Sequence, residues 1–343
     1  MRSTTGRLLG MCAVVTLTAA CGSSASNSGS APSGSSGQSG KVQQLSVVLP
    51  HANIFTVGLP YAVAQKQGFF ARQGLSVTSI FTAGGGANVQ AVLAGSANIG
   101  VETGPGALFA AAANGAPVRI FSASTNGLDI LLFSKAGSAF TDPASLSGQK
   151  VGYSEPGSSS QVIVNALNKQ LQAQGKAPAI GQALGGPPQQ LAAVTTGQVA
   201  AGWTIPPTFL DKVKAGTLQI AVNGFRDMPE YRHIVGRVQF TTADFLKQHP
   251  DEIRGFVTAW QEAWDWAFAH EDQAIKIWQD QANVQGDPAA LKQAFTYYQR
   301  DMFAAVPIDG IDVNLENSVA AGGKNLSPQQ LKELVDTSAT PHS

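Results

Sequence analysis

The stretch GGGANVQAVLAGSANIGVETGP, Gly84 to Pro105, aligns without gaps on GPPQQLAAVTTGQVAAGWTIPP, Gly186 to Pro207, at an offset of 102 residues. Gly84, Ala91, Val92, Gly95, Gly100 and Pro105 meet Gly186, Ala193, Val194, Gly197, Gly202 and Pro207. In each copy a Gly-rich or Pro-rich turn leads into a short apolar helix, a Gly stops it, a buried strand follows, and a loop closes on Pro. Matches rich in Gly and Ala also arise from ordinary α/β grammar. Read as a repeat, they predict two similar lobes facing each other.

The flanking chain obeys the same alternation. Strands are expected at Leu45 to Leu49, Leu75 to Phe81 and Val118 to Ala123, with a helix from Val57 to Gln67. A second set comprises a strand at Lys150 to Ser154, a helix beginning near Ser158 and a strand at Leu218 to Val222. Strands alternating with helices imply parallel sheets. Such sheets hold ligands beyond the carboxyl ends of their strands, where loops and helix amino termini converge. Five loops qualify: Pro50 to Thr56, Thr82 to Asn88, Glu102 to Gly106, Ser154 to Gln161 and Trp203 to Pro207. From about Thr242 the pattern turns helical. Ile253, Phe256, Val257, Trp260, Trp264 and Phe268 recur at helical spacing, which reads as a stripe packed against a core rather than a ligand platform. Helices with Ile275 and Trp278, and with Leu291, Phe295 and Tyr298, would complete a C-terminal cover on one lobe.

At the amino terminus Arg2 and Arg7 precede an uncharged run from Leu8 to Ala20 that ends at Ala19-Ala20-Cys21. This is the pattern of a bacterial signal peptide over 1–20, and the run is shorter than the roughly 20 residues a membrane span needs. The sequence therefore predicts an exported lipoprotein, anchored to the outer face of the cytoplasmic membrane by a lipid on Cys21. Residues 21–41 are rich in Ser and Gly and read as a flexible tether. Of the 22 basic residues, Arg2 and Arg7 leave with the signal, so 20 face 22 acidic ones. That balance suggests no nucleic-acid partner. The two cysteines are Cys12 and Cys21, so the folded body carries no thiol for disulfides, thiolate metal sites or nucleophilic catalysis.

The order of motifs resembles the sulfonate, nitrate and taurine group of ABC-importer solute-binding proteins, related to the thiamine-pyrimidine synthase fold. The resemblance rests on Ala62-Val63-Ala64-Gln65-Lys66-Gln67-Gly68-Phe69-Phe70 with Gly74-Leu75-Ser76-Val77, and on Val92-Leu93-Ala94-Gly95-Ser96-Ala97-Asn98-Ile99-Gly100. Leu146-Ser147-Gly148-Gln149-Lys150-Val151-Gly152 and His249-Pro250-Asp251 continue it. It implies a type II periplasmic-binding-protein fold: two α/β lobes, 42–126 with 226–343 and 127–225, joined by hinge strands near Ser124 to Asp129 and Asn223 to Met228. It also implies a monomer with no cofactor or metal that hands a small molecule to a permease and its ATPase. Asn98 stands where family members commonly carry an acid.

Glu102 is the first acidic residue of the chain and ends a buried strand, so it should meet a ligand or a local cap at Thr103 or Gly104. Ser154, Glu155, Ser158 and Ser159 form a cradle of hydroxyls and amides at a helix start, with Glu155 counting against a strongly anionic ligand. Gly85 and Gly86 offer further amides, with no Gly-Lys-Ser or Gly-Lys-Thr following them. His51, Asn53 and Phe55 in the first loop, with Trp203 and Thr204 in the repeat copy, complete the candidate ligand contacts. Arg226 is the arginine nearest a predicted hinge. The ligand would be either a small sulfonate-like or nitrate-like anion or a neutral to cationic heterocycle such as a thiamine-precursor pyrimidine. A synthase resembling the pyrimidine enzyme would need a cysteine this body lacks. A sensing lipoprotein without a transporter is the other alternative.

Overall fold

The computed structural model describes residues 42–320 and 322–341; the signal segment, the tether and Cys21 lie outside the described residues. Ten strands are present among them: β1 Gln43–Pro50, β2 Leu75–Thr82, β3 Ile99–Thr103, β4 Val118–Asn126, β5 Leu131–Lys135, β6 Lys150–Tyr153, β7 Ile180–Ala183, β8 Gly202–Thr204, β9 Leu218–Asn223 and β10 Val235–Thr242. They form two α/β lobes. In the first the order is β2-β1-β3-β10-β4, with β1 parallel to β2 and β3, and β10 antiparallel to both β3 and β4. In the second, β6 and β7 are parallel, the order β8-β5-β9 has β5 antiparallel to both neighbours, and a Val151–Ala201 bridge joins the two groups.

The two arrangements are the same pattern used twice. The repeated segments become the helix Gly85–Leu93 followed by β3, and the helix Pro187–Thr196 followed by β8. Each third strand lies beside a long-range antiparallel strand, β10 in one lobe and β5 in the other. These two strands are where the chain passes between lobes, so the first lobe's sheet is mixed and the second lobe pairs an antiparallel three-stranded sheet with a parallel pair, where the alternation implies parallel sheets. β5, β7 and β10 carry no helix-alternation signal and are additions to the elements expected from sequence.

The C-terminal helices cover the first lobe. Pro250–Ala269 and Glu271–Ala282 lie against the helix Phe55–Lys66, and Trp260, Trp264 and Trp278 are buried. The tryptophan stripe is core. Phe55 is fully buried at its centre, with ring centroids 5.8 Å from Trp264, 5.8 Å from Trp278, 5.0 Å from Phe295 and 5.3 Å from Tyr298. The third expected helix is broken: Pro288–Lys292 is followed by a single 3-10 turn at Gln293–Thr296, and Tyr298 lies in irregular chain. Trp278 also positions the site, because its Nε1 donates to the Ala52 carbonyl at 3.0 Å and pins the loop that carries His51.

Removing the central ring should leave a large void among four other rings. Phe55→Ala is expected to lower the unfolding free energy by about 3–5 kcal/mol, read from urea denaturation.

Candidate functional site

The carboxyl ends of β1, β2, β3, β6 and β8 point into one cleft between the lobes, of about 40 Å³. Its walls bring together seven of the residues singled out in the sequence: His51, Gly85, Glu102, Ser154, Ser158, Ser159 and Trp203. Ser160 and Arg237 join them. The serines are interlinked. Ser160 Oγ accepts from the Ser154 amide at 2.9 Å and shares hydrogen bonds with Ser154 Oγ at 2.8 Å and Ser158 Oγ at 2.9 Å. Ser158 is also the N-cap of the helix Ser159–Ala173.

The other six take different places. Phe55 faces the aromatic core and Asn53 is exposed at a separate cavity with Pro207 and Asp287. Thr103 Oγ1 is occupied by Asn88 Nδ2 at 3.0 Å, and Thr204 Oγ1 donates to the Thr208 carbonyl at 3.1 Å. Gly86 and Glu155 bond to each other across the lobes, the Gly86 amide donating to Glu155 Oε1 at 2.6 Å. Arg226 lies on the surface, paired with Asp227 at 2.6 Å, and does not reach the cleft.

Arg237 is the arginine that does. It stands on β10, almost fully buried, between two buried carboxylates. Its Nη1 donates to Asp129 Oδ2 at 3.0 Å, to Glu102 Oε2 at 3.4 Å and to Thr56 Oγ1 at 3.3 Å. Nη2 donates to Asp129 Oδ1, and Nε donates to Ser159 Oγ at 3.2 Å. Tyr298 OH donates to Asp129 Oδ2 at 3.0 Å and Thr125 Oγ1 donates to Glu102 at 3.0 Å. Sequence reasoning missed this residue because its partners lie 108 and 135 positions away. The one available signal was an arginine between valines in the strand-like run VGRVQF.

Burial would lower the Arg237 guanidinium, but Asp129 and then Glu102 outweigh it and hold the charge more firmly than in water. Burial pushes the Glu102 carboxyl up from 4.5 to about 7, against the pull of Arg237 and the Thr125 hydroxyl. The site thus has one fixed cation, the partnered Asp129 and a carboxyl that titrates near neutrality. His51 is pushed down by burial, with the Ala83 backbone opposing. Its ring lies 6.5 Å from that of Trp203, whose Nε1 donates to the Gly185 carbonyl at 3.1 Å. His51 and Glu102 both hold positive φ, at 50° and 54°, a conformation costly for residues with side chains and one that tends to mark functional loops.

The lobes meet backbone to backbone at one edge of the cleft. A Cβ on Gly104 would fall 2.6 Å from the Ser159 amide nitrogen, and one on Gly106 would fall 2.8 Å from the Gly157 carbonyl oxygen. No side chain fits between these loops while they are closed. Among the described residues no cluster of metal-ligating side chains is present, and no helix is long and apolar enough to cross a membrane.

Two α/β lobes exchanging strands around a cleft at their strand ends define the periplasmic-binding-protein fold. The chain belongs to the NMT1/THI5-like family, whose model matches residues 56–274. No curated protein matches it. Its structure is similar to that of a Bordetella bronchiseptica RB50 protein, at 22% identity and TM-score 0.69 over 86% of this chain and 95% of that one. It is similar to the periplasmic nitrate-binding protein NrtA from Synechocystis PCC 6803, at 16% identity and TM-score 0.69 over 87% of each. The alkanesulfonate-binding protein SsuA from Xanthomonas axonopodis pv. citri gives 15% identity and TM-score 0.66 over 88% of this chain and 98% of that one. At these identities the likeness is one of fold.

Two outcomes are expected. Between pH 4.5 and about 7 the folded protein keeps a proton on Glu102 that the unfolded chain has released, so this residue's contribution to stability falls as pH rises through that window and is flat above it. The melting temperature of Glu102→Gln should therefore gain on that of the native protein across the same window. Gly104→Ala should keep the fold, with far-ultraviolet circular dichroism unchanged, yet prop the cleft open, seen as a larger radius of gyration in X-ray scattering.

Proposed function

We propose that this chain is the extracytoplasmic solute-binding receptor of an ABC importer, held at the membrane by a lipid on Cys21. It closes two lobes, 42–126 with 226–343 and 127–225, on one small molecule and presents it to a permease and its ATPase. Its role is binding rather than chemistry: the folded body has no cysteine, and the cleft is built between lobes that are joined, among the described residues, by two crossings, Asn126 to Leu131 and Asn223 to Val235.

The charge arrangement around Arg237 carries the choice of ligand. The guanidinium is committed to Asp129 and Glu102, so the cleft has no surplus positive charge for an anion, and deprotonated Glu102 leaves it with an excess of one negative charge. A neutral or cationic ring bearing N–H donors suits this environment, as an aminopyrimidine-like heterocycle would, with the carboxylate accepting from it and His51 and Trp203 beside it. A small oxyanion is the second reading. The linked hydroxyls of Ser154, Ser158 and Ser160 favour it, and so does the likeness to nitrate- and alkanesulfonate-binding proteins.

The pH dependence of affinity separates the two. Ionisation of Glu102 near pH 7 should strengthen binding of an N–H donor ligand about tenfold from pH 6 to pH 8, and weaken binding of an oxyanion over the same range. Calorimetric titration of the mature protein with 4-amino-5-hydroxymethyl-2-methylpyrimidine, taurine and nitrate reads both trends. Turnover of any bound molecule would overturn the receptor reading.

A further inference from the structure

A second cavity, of about 370 Å³, lies at the hinge and shares no lining residue with the cleft. Its walls come from three stretches of chain: the first crossing at Asn126 to Leu128, the second crossing at Gly224 to His233, and the C-terminal segment Thr296 to Asp309. These walls are bonded to one another. The Gly127 amide donates to the Ile234 carbonyl at 2.8 Å, the Val235 amide to the Asp309 carbonyl at 2.8 Å, and Asn126 Nδ2 to the Ala304 carbonyl at 3.3 Å. Ligand sites favour such junctions between lobes, and pockets of about 300–1,000 Å³ suit a small molecule.

The lining combines two kinds of group. Phe225 and Tyr297 supply aromatic rings with centroids 6.2 Å apart, and Leu128, Met228 and Met302 add apolar surface. Phe225 is braced edge-on by Tyr298 at 5.7 Å. Beside these stand Arg232 and His233 from the second crossing and Asp301 and Asp309 from the C-terminal segment. None of the four forms an ion pair among the described residues, whereas neighbouring Arg300 is paired with Asp265 at 2.6 Å. Both signs of charge therefore line one aromatic cavity without neutralising each other. Aromatic and thioether surfaces take a flat ring, a guanidinium takes a carboxylate through paired N–H donors, and a carboxylate takes an ammonium group.

We infer that the hinge cavity is a second small-molecule site, built for an aromatic amino acid or a similar aromatic zwitterion. The ring lies against Phe225, Tyr297 and the methionines, the carboxylate meets Arg232, and the ammonium group meets Asp301 or Asp309. An aromatic anion would leave both acids unpaired and add to their charge. An aromatic cation would leave Arg232 unpaired. Because this cavity and the cleft are separate, the site stands or falls independently of the receptor reading.

The test is calorimetric titration of the mature protein with L-tryptophan, tryptamine and indole-3-acetate. L-Tryptophan should bind saturably with a dissociation constant of about 1 mM or tighter, the range expected for a molecule of its size. Each analogue lacks one charge-assisted contact and should bind about tenfold more weakly. Arg232→Gln, at an exposed position, should weaken L-tryptophan about tenfold and leave tryptamine unchanged. The double variant Asp301→Asn with Asp309→Asn should weaken L-tryptophan and tryptamine and leave indole-3-acetate unchanged. Glu102→Gln, in the cleft, should leave L-tryptophan binding as it is. Circular dichroism establishes that each variant is folded. Absence of saturable L-tryptophan binding, or binding that is lost in Glu102→Gln and kept in Arg232→Gln, overturns the site. An analogue that binds as tightly as L-tryptophan overturns its assignment to a zwitterion.

Discussion

The rest of the structure depends on burying Arg237 between Asp129 and Glu102. Each of these three charges is almost fully removed from water, and an isolated charge in such a place costs several kcal/mol. The cost is offset only when all the partners arrive together. Arg237 comes from β10, Glu102 from the end of β3, and Asp129 from the first crossing, while Thr56, Thr125, Ser159 and Tyr298 supply further hydrogen bonds from four other places in the chain. The cluster therefore ties the first crossing to both lobes and the C-terminal cover at one point. Removing the guanidinium would strand two buried carboxylates, a larger loss than the removal of either acid.

The same cluster determines what the cleft offers. Because Arg237 is neutralised by two carboxylates, the polar part of the cleft lining is serine hydroxyls, His51 and a carboxyl near its titration point, set beside the apolar side chains of Ile54, Val57, Trp203 and Ile205. The fold explains why these meet. Each lobe places its third parallel strand beside a strand delivered from the other side of a crossing, so loops distant in sequence converge on the line where the lobes touch. Glycines at 104, 106 and 157 allow that line to close, and the carboxylate of Glu155 fastens it.

Much of this plan was legible in the chain. The repeat at an offset of 102 residues is borne out as the same helix-strand unit in each lobe, and the glycine stops fall at the helix ends. Glu102 stood out as the first acid, at the end of a buried strand, and it is buried at the cleft. Asn53 and Phe55 share a loop with His51 and nonetheless diverge from it. His51 turns to the cleft, while Phe55 opens a helix whose buried face is filled by tryptophans more than 200 residues further on.

By itself, then, the sequence determined the local matters: which segments alternate between strand and helix, where glycine ends them, and which loops gather at the strand ends. These follow from side-chain periodicity and backbone freedom over a few residues. Tertiary structure alone decided that β5 and β10 cross between lobes, that Arg237 rather than Arg226 faces the site, and that Glu155 fills the amides at Gly86. Those outcomes depend on charges and backbones brought together from 69 to 135 positions apart, and nothing in a local pattern records which distant partner will offset a buried charge.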